Sequence, residues 1–214
     1  LIAWQEAQRR NITGLCLHVG CGHARIAGAV NVDPYVDDSD CKDDMRHLPS
    51  FKENTVNSII SHHSIEHIPI RSVFPMLKRW FELLKFGGTI EIGIPDIALL
   101  CQEFLEADEE TRWKHSIWCL FGAQTEDPRF VPTGNVCGIK DDMSFSAGQV
   151  HMSGFSLDYM VSTLKEIGFK IIDAYNYDAN GSALSLFVYA TKPLNNEISE
   201  SFEYGIIGEQ FCNR

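Results

Sequence analysis

The sequence lacks the segments that carry proteins into or across a membrane. It has no apolar run of about 18 residues and no signal peptide, so neither a membrane-spanning helix nor secretion is predicted. Its seven cysteines are scattered, odd in number and without a C-x-x-C pair. This usage argues against a disulfide framework and favours reduced thiols in the cytoplasm.

Basic residues are also few: 18 Lys and Arg stand against 29 Asp and Glu, which gives a formal net charge of −11. Because phosphate contacts need clustered cations, a large nucleic-acid-binding face is not expected. The remaining composition, 44% hydrophobic and 22% charged over 214 residues, is that of a globular protein with one core. Since the sequence opens on Leu1 and not on Met, we expect an excised or processed domain.

A glycine turn between two short strands is the most informative stretch. Leu15–Val19 and Ala29–Val32 are predicted strands; Gly20 and Gly22 follow the first, and Asp33 ends the second. The glycines let the backbone bend sharply and approach a ligand, and an acidic residue at the second strand's tip can accept hydrogen bonds from a ribose. The pattern predicts a nucleotide-type cofactor, although a plain turn between strands remains an alternative.

The third glycine of the dinucleotide fingerprint is missing from this turn. Arg25 stands at that position, and Asp33 follows Gly22 by 11 residues, whereas the fingerprint needs about 20. A pyrophosphate cradle, and with it a nicotinamide oxidoreductase, is therefore disfavoured.

Strands and helices alternate along the chain, which predicts an α/β protein with a parallel, doubly wound sheet that ends in a hairpin. Pro75 is placed in the first turn of one helix, and Gly87-Gly88 are expected to end that helix. Asn180-Gly181 predict the turn of the hairpin. The predicted helices are 1–12, 70–84, 97–121 and 156–167, and the further strands are 56–63, 89–95, 170–175 and 183–191.

One domain is expected over residues 1–194, with residues 195–214 as a tail or connector. Residues 122–154 are rich in Gly, Pro and Asp and have no periodicity. A loop of that length within a compact domain is commonly a lid or a binding loop, so we predict that it covers a substrate.

Four ordered segments resemble class I S-adenosylmethionine-dependent methyltransferases. They are the glycine turn with Asp33, Asp44-Met45, SHHSIEHI at 61–68 and LLKFGGTIEIGIPD at 83–96. Residues 121–124 and the segment from His151 resemble a subgroup that is often encoded with, or fused to, glycosyltransferases, including domains of glycan-building proteins of large algal viruses. The resemblance covers roughly residues 12–191. Departures from the family pattern are His18 for an acid, Ala24 for a glycine, Asn57 for an aspartate and Phe86 for a proline.

The resemblance implies a Rossmann-like, mostly parallel seven-stranded sheet with an antiparallel hairpin at its C-terminal edge. It also implies S-adenosylmethionine as cofactor, S-adenosylhomocysteine as product, a glycan or small sugar as acceptor, and glycosyltransferase domains as fused or separate partners. The location would be cytoplasmic, in a host if the protein is viral. The residues that the resemblance places around the cofactor are His18, Gly20, Cys21, Gly22, Asp33, Asp44, Met45, His62 and His67.

Methylation of an alcohol adds one requirement, because the hydroxyl proton must leave as the new bond forms. A positioned base helps by roughly 10²–10⁴-fold, and histidine is the usual choice near neutral pH. His151, at the end of the predicted lid, and His63, after a strand, are the candidates, and Asp96 could orient the acceptor.

Each of these side chains also has a simpler structural interpretation. His18 can be a satisfied core residue, His67 can pack beside the cofactor, and His62 or His63 can cap a strand. His151 can anchor the lid to the next helix, and Asp96 can be a solvated loop acid.

Asp141-Asp142 with Asp96 or His151 could hold a divalent ion through oxygen ligands, but adjacent loop aspartates are commoner than metal sites, so we predict none. The sequence therefore favours an O-methyltransferase, and the resemblance implies a sugar hydroxyl as its acceptor, for example that of a terminal deoxyhexose such as rhamnose. The alternatives are N-methylation of a small molecule or protein, and a non-catalytic interaction module with the same fold.

Overall fold

The computed structural model describes residues 13–112, 117–122, 150–178 and 184–194. Four expectations fall outside these ranges: the helix at 1–12, most of the 122–154 loop including Asp141-Asp142, the Asn180-Gly181 turn and the 195–214 tail. In the described part, every helix is too short or too polar to cross a bilayer.

A mixed sheet of six strands is the centre of the described structure, in the order β2-β1-β3-β4-β6-β5. The first four strands in that order are parallel, and β4 pairs antiparallel with β6, which pairs antiparallel with β5. The terminal hairpin predicted from the sequence is thus present. The strands are β1 Cys16–Val19, β2 Val30–Val32, β3 Val56–His62, β4 Leu84–Pro95, β5 Lys170–Asp178 and β6 Leu184–Thr191.

The seventh strand that the resemblance implied is reduced, among the described residues, to a single parallel bridge. Val32 of β2 pairs with Cys41 at the open edge of the sheet. The segment after β2 is rich in Asp, and aspartate is poorly suited to a strand.

The helices are α1 Ile70–Leu83, α2 Ile97–Glu106, α3 Glu109–Thr111, α4 Ile117–Phe121 and α5 Leu157–Ile167, with a 3₁₀ turn at Ile65–His67. Ser156 caps α5 as predicted, accepting a hydrogen bond from the Tyr159 N–H. The α1 and α5 faces pack on one side of the sheet and bury a core that includes Trp80, Met76, Met160 and Leu164.

Three local predictions about these helices were wrong. The α1 helix begins at Ile70, so Pro75 lies in its second turn and not in its first. It ends at Leu83, and Gly87-Gly88 lie inside β4, where pairing with the neighbouring strands overrides the glycine stop signal. The helix predicted at 97–121 is broken after Glu106.

Candidate functional site

The glycine turn lies at the carboxyl end of β1, where parallel strands of such sheets present their ligands. Gly20 and Gly22 both have positive φ, 65° and 51°. A Cβ added to Gly20 would lie 2.4 Å from the Ser64 Cβ, so a side chain is excluded there. A Cβ added to Gly22 would meet no described atom within 4 Å. The turn is therefore closely packed at Gly20 and open at Gly22.

The carboxylate of Asp33 faces the open side of this turn. Its Oδ2 accepts a hydrogen bond from the Gly22 N–H at 2.9 Å, and its Oδ1 accepts one from the Tyr35 N–H at 2.9 Å. The residue is 8% exposed. A carboxylate offers about four acceptor positions, so two remain for hydroxyl donors.

Asp44 and Met45 follow β2 and lie near the same turn. The Met45 side chain is buried, with its sulfur 3.7 Å from the Cβ position of Gly20. The Asp44 carboxylate accepts bonds from the Arg46 guanidinium, from Nε at 2.9 Å and from Nη2 at 2.5 Å, which lowers its pKa. Asp44 is thus paired with a cation that the sequence did not single out.

Cys21, between the two glycines, is a buried thiol. Its Sγ donates to the Gly22 carbonyl at 3.3 Å, and burial, with a contribution from the Asp33 charge, raises its pKa to about 11. The thiol is therefore protonated at neutral pH and shapes the turn without acting as a nucleophile.

A layer of polar side chains is buried on the sheet itself. The His18 Nδ1–H donates to the Asn31 Oδ1 at 3.2 Å, and burial lowers the pKa of His18 to about 4. On the adjoining strands, His62 Nε2 lies 3.0 Å from a Glu91 carboxylate oxygen. His18 is 2% exposed, so its geometry is that of a satisfied core residue. Glu91 is the member that sequence reasoning missed, although an acid within the apolar run of β4 was a visible signal.

A second cluster of titratable groups occupies the 3₁₀ turn directly after β3. Glu66 is 3% exposed, and one of its oxygens lies 3.5 Å from His63 Nδ1. The rings of His67 and His151 meet edge to face, with centroids 5.1 Å apart. Neighbouring imidazoles offset the effect of burial, and the pKa of Glu66 is lowered. The cluster therefore holds an ionised carboxylate among three histidines.

Hydrogen bonds fasten His151 to this turn although it is distant in sequence. The N–H groups of Met152 and Ser153 both donate to the Glu66 carbonyl, at 2.7 and 3.0 Å. Burial lowers the pKa of His151, so its ring is neutral at physiological pH.

Asp96 has a different role from these groups. Its Oδ1 accepts from the N–H groups of Ala98 and Leu99 and so caps α2, while its Oδ2 accepts from Leu157 N at 3.1 Å and Asn176 Nδ2 at 2.7 Å. Four donors occupy the carboxylate, and this geometry gives Asp96 a structural role in joining β4, α2, α5 and β5.

No protein-family model matches the sequence, and no curated protein does. Solved structures match over most of the chain. A methyltransferase dependent on S-adenosylmethionine from Methanosarcina mazei aligns with a TM-score of 0.56 and 14% identity, covering 85% of this chain and 93% of that one. The Burkholderia thailandensis 1,6-didemethyltoxoflavin-N1-methyltransferase, with bound S-adenosylhomocysteine, gives 0.56 and 13%, covering 89% and 78%. A possible histamine N-methyltransferase from Thermotoga maritima gives 0.53 and 14%, covering 89% and 88%.

The chain has the class I methyltransferase fold. Within this fold, the residues predicted around the cofactor fall into three separate groups. The turn itself consists of Gly20, Cys21 and Gly22. Asp33 and Met45 contact it, and Asp44, next to Met45 in the sequence, is bound to Arg46.

The other predicted residues lie on the sheet or in the histidine cluster. His18 and His62 belong to the buried polar layer. His63, His67 and His151 come together around Glu66, a residue that was within the recognised SHHSIEHI segment but was not predicted to take part.

Proposed function

We propose that this chain is an S-adenosylmethionine-dependent O-methyltransferase that acts on a sugar hydroxyl. The observation that carries the cofactor assignment is the Asp33 carboxylate beside the open face of Gly22. Two free acceptor positions on Asp33 suit a ribose diol, and the room at Gly22 suits the methionine part of the molecule. Met45 would cover the adenine from the other side of the turn.

The cofactor, when bound, supplies a methyl group on a sulfonium, so the protein has to align the acceptor and exclude water. Held at this turn, the cofactor would supply the methyl group for in-line transfer to the acceptor oxygen, with the carbon–sulfur bond broken as the carbon–oxygen bond forms. The hydroxyl proton must pass to a base. We assign that role to His63, whose side chain is 36% exposed and is backed by the Glu66 carboxylate at 3.5 Å.

His63 also has a backbone that fits a functional position. Its φ of 48° is in the left-handed region, which histidine seldom adopts. Its N–H donates to the Gly93 carbonyl of β4 at 2.7 Å, which holds the strained residue at the sheet's edge. His151 is the more buried ring, and we place it behind His63 as part of the acceptor pocket.

The cofactor assignment is tested by calorimetry on the Asp33→Asn variant, with Asp37→Asn, an exposed acid of the same loop, as the control. Loss of charge-assisted hydrogen bonds to a ribose costs about 1.5–3 kcal/mol, so S-adenosylhomocysteine should bind about 10- to 150-fold more weakly to D33N. Binding by D37N should equal that of the wild type. Equal binding by D33N would remove Asp33 from the site.

The acceptor assignment rests on sequence resemblance to the glycosyltransferase-associated subgroup, which also makes glycosyltransferase domains the proposed partners. It is tested by following S-adenosylhomocysteine release with glycosides that end in a deoxyhexose such as rhamnose. Matched glycosides whose free hydroxyls are already methylated serve as controls and should give no turnover. The His63→Gln variant should lower kcat by about 10²-fold or more while its affinity for S-adenosylhomocysteine is unchanged.

N-methylation is the second candidate, because two of the matching structures are named as N-methyltransferases or possible ones. An amine with a free lone pair needs no base, so H63Q would then retain full activity on amine acceptors. A non-catalytic interaction module is the third, and it predicts no heat on addition of S-adenosylmethionine.

A further inference from the structure

We propose that Glu66, His67 and His151 form a binding site for a divalent transition-metal ion. Each residue offers one ligand atom, and the three atoms lie within 4.8 Å of one another. Two of the ligands come from the 3₁₀ turn after β3, and the third comes from the segment that leads into α5. From the sequence we predicted no metal site, and the set considered there joined Asp141-Asp142 with Asp96 or His151, without Glu66 and His67.

An unpaired oxygen of the Glu66 carboxylate supports this site. Its Oε2 is buried without a hydrogen-bond partner in the described structure, while the other oxygen faces His63. A buried charged oxygen without a partner costs more free energy than a neutral polar group in the same place. A bound cation would remove this cost, because carboxylate oxygen is a metal ligand.

The His67 imidazole is oriented as metal ligands usually are. His67 Nδ1 lies 3.1 Å from the Val150 carbonyl, which can only accept, so this nitrogen carries the proton and Nε2 has the free lone pair. The His151 ring lies beside the His67 ring, with the two ring centroids 5.1 Å apart. Metal-binding histidines commonly use one nitrogen for a backbone carbonyl and the other for the metal.

A small cavity adjoins two of the three proposed ligands. Its volume is about 10 Å³, and Glu66 and His151, but not His67, lie on its lining together with Ser153, Gly154 and Ile97. Bonds of about 2.0–2.2 Å in tetrahedral geometry place ligand atoms about 3.4 Å apart, so the present separation needs to close by little more than 1 Å. The Ser153 hydroxyl, which donates to the Ile65 carbonyl at 3.2 Å, helps to hold the two segments together.

The ligand types select the metal. Two imidazoles with one carboxylate suit Zn²⁺, Fe²⁺, Mn²⁺ or Co²⁺, whereas Mg²⁺ and Ca²⁺ prefer oxygen ligands alone. Three protein ligands leave at least one coordination position open. If the proposed function holds, that position would bind the acceptor hydroxyl next to His63. The metal site itself does not depend on that function.

Metal binding is tested on protein first dialysed against a chelator. Titration with ZnCl₂ or MnCl₂ in a calorimeter should show one tight site, and elemental analysis should recover about one ion per chain. The Glu66→Gln, His67→Gln and His151→Gln variants should each lose affinity by about 100-fold or more. His47→Gln, a change at an exposed histidine outside the cluster, should bind as the wild type does.

Two further measurements keep the test independent of folding defects and of catalysis. Co²⁺ added to the unmodified protein should give visible absorption bands of a low-coordinate site with nitrogen ligands. Affinity for S-adenosylhomocysteine should persist in the Glu66→Gln and His151→Gln variants, which separates loss of the metal from loss of the cofactor site. Absence of a stoichiometric site in the wild type, or unchanged metal affinity in the variants, would overturn the proposal.

Discussion

Alanine at Gly20 should destabilise the protein much more than alanine at Gly22, although both glycines have positive φ. The difference comes from what a new methyl group would touch. At Gly20 it would lie 2.4 Å from the Ser64 Cβ and 2.7 Å from its Oγ, and at Gly22 it would meet no described atom within 4 Å. Ser64 cannot easily move away, because it is buried and its hydroxyl is 2.6 Å from that of Ser61.

The expected magnitudes follow from two terms. An alanine in the left-handed region costs about 1–2 kcal/mol, and the stiffer unfolded chain returns about 0.4–1 kcal/mol, so Gly22→Ala should cost about 1 kcal/mol. Gly20→Ala adds overpacking against Ser64, typically about 1–3 kcal/mol. Its total should therefore be about 2–4 kcal/mol.

Urea unfolding followed by tryptophan fluorescence measures both values, because Trp80 is fully buried in the core. The double variant Gly20→Ala/Ser64→Gly removes the Cβ that clashes and should recover about 1 kcal/mol or more relative to the sum of the single changes. Equal stability of Gly20→Ala and Gly22→Ala would refute the close contact between the turn and Ser64. So would a double variant whose loss of stability equals the sum of the Gly20→Ala and Ser64→Gly losses within about 0.5 kcal/mol. In the calorimeter, G22A should be the variant that weakens cofactor binding, since only that face of the turn is open.

Two further predictions concern buried polar groups. Burial lowers the pKa of His18 to about 4 in the folded protein, against 6.5 in the unfolded chain. The free energy of unfolding that this shift contributes is fully present above pH 6.5 and falls by about 2 kcal/mol by pH 5 and about 3 kcal/mol by pH 4. His18→Asn, which keeps a donor for Asn31, should lack this pH dependence in urea titrations across that range. Asp96→Ala should lower the free energy of unfolding by about 2–4 kcal/mol, because a helix cap and two other donors lose their acceptor, and should leave cofactor affinity unchanged. A stable D96A protein with a much lower kcat would instead make Asp96 part of the chemistry.

Much of the fold could be predicted because its main elements have strong local signals. The buried strands β1 and β3 are apolar runs, and α1 and α5 have clear helical periodicity with a cap at Ser156. Local signals failed where sheet pairing decided the outcome. Val56 pairs with Leu84, so β4 begins directly after α1 and continues through Gly87-Gly88.

The candidate site, like the fold, could be predicted in part. The glycine turn, Asp33 and the histidines could be located because the carboxyl ends of parallel strands meet at one edge. The partners of individual side chains could not be predicted from the sequence. The Asp44–Arg46 and His62–Glu91 pairs depend on side-chain rotamers and on strand register. The role of Asp96 had a readable signal, because an aspartate before a helical run is a typical N-cap.

The connection from Ser61 to Ile68 joins the two halves of the site physically. Ser64 packs on Gly20 of the glycine turn, and two residues later the Glu66 carbonyl accepts the N–H groups that hold His151 in place. The separation between the cofactor turn and the histidine cluster is thus set by one short segment, anchored where the His63 N–H bonds to β4. A change that shifts this segment should therefore alter cofactor binding and metal binding together, whereas a change at Asp33 or at His151 should alter only one of them.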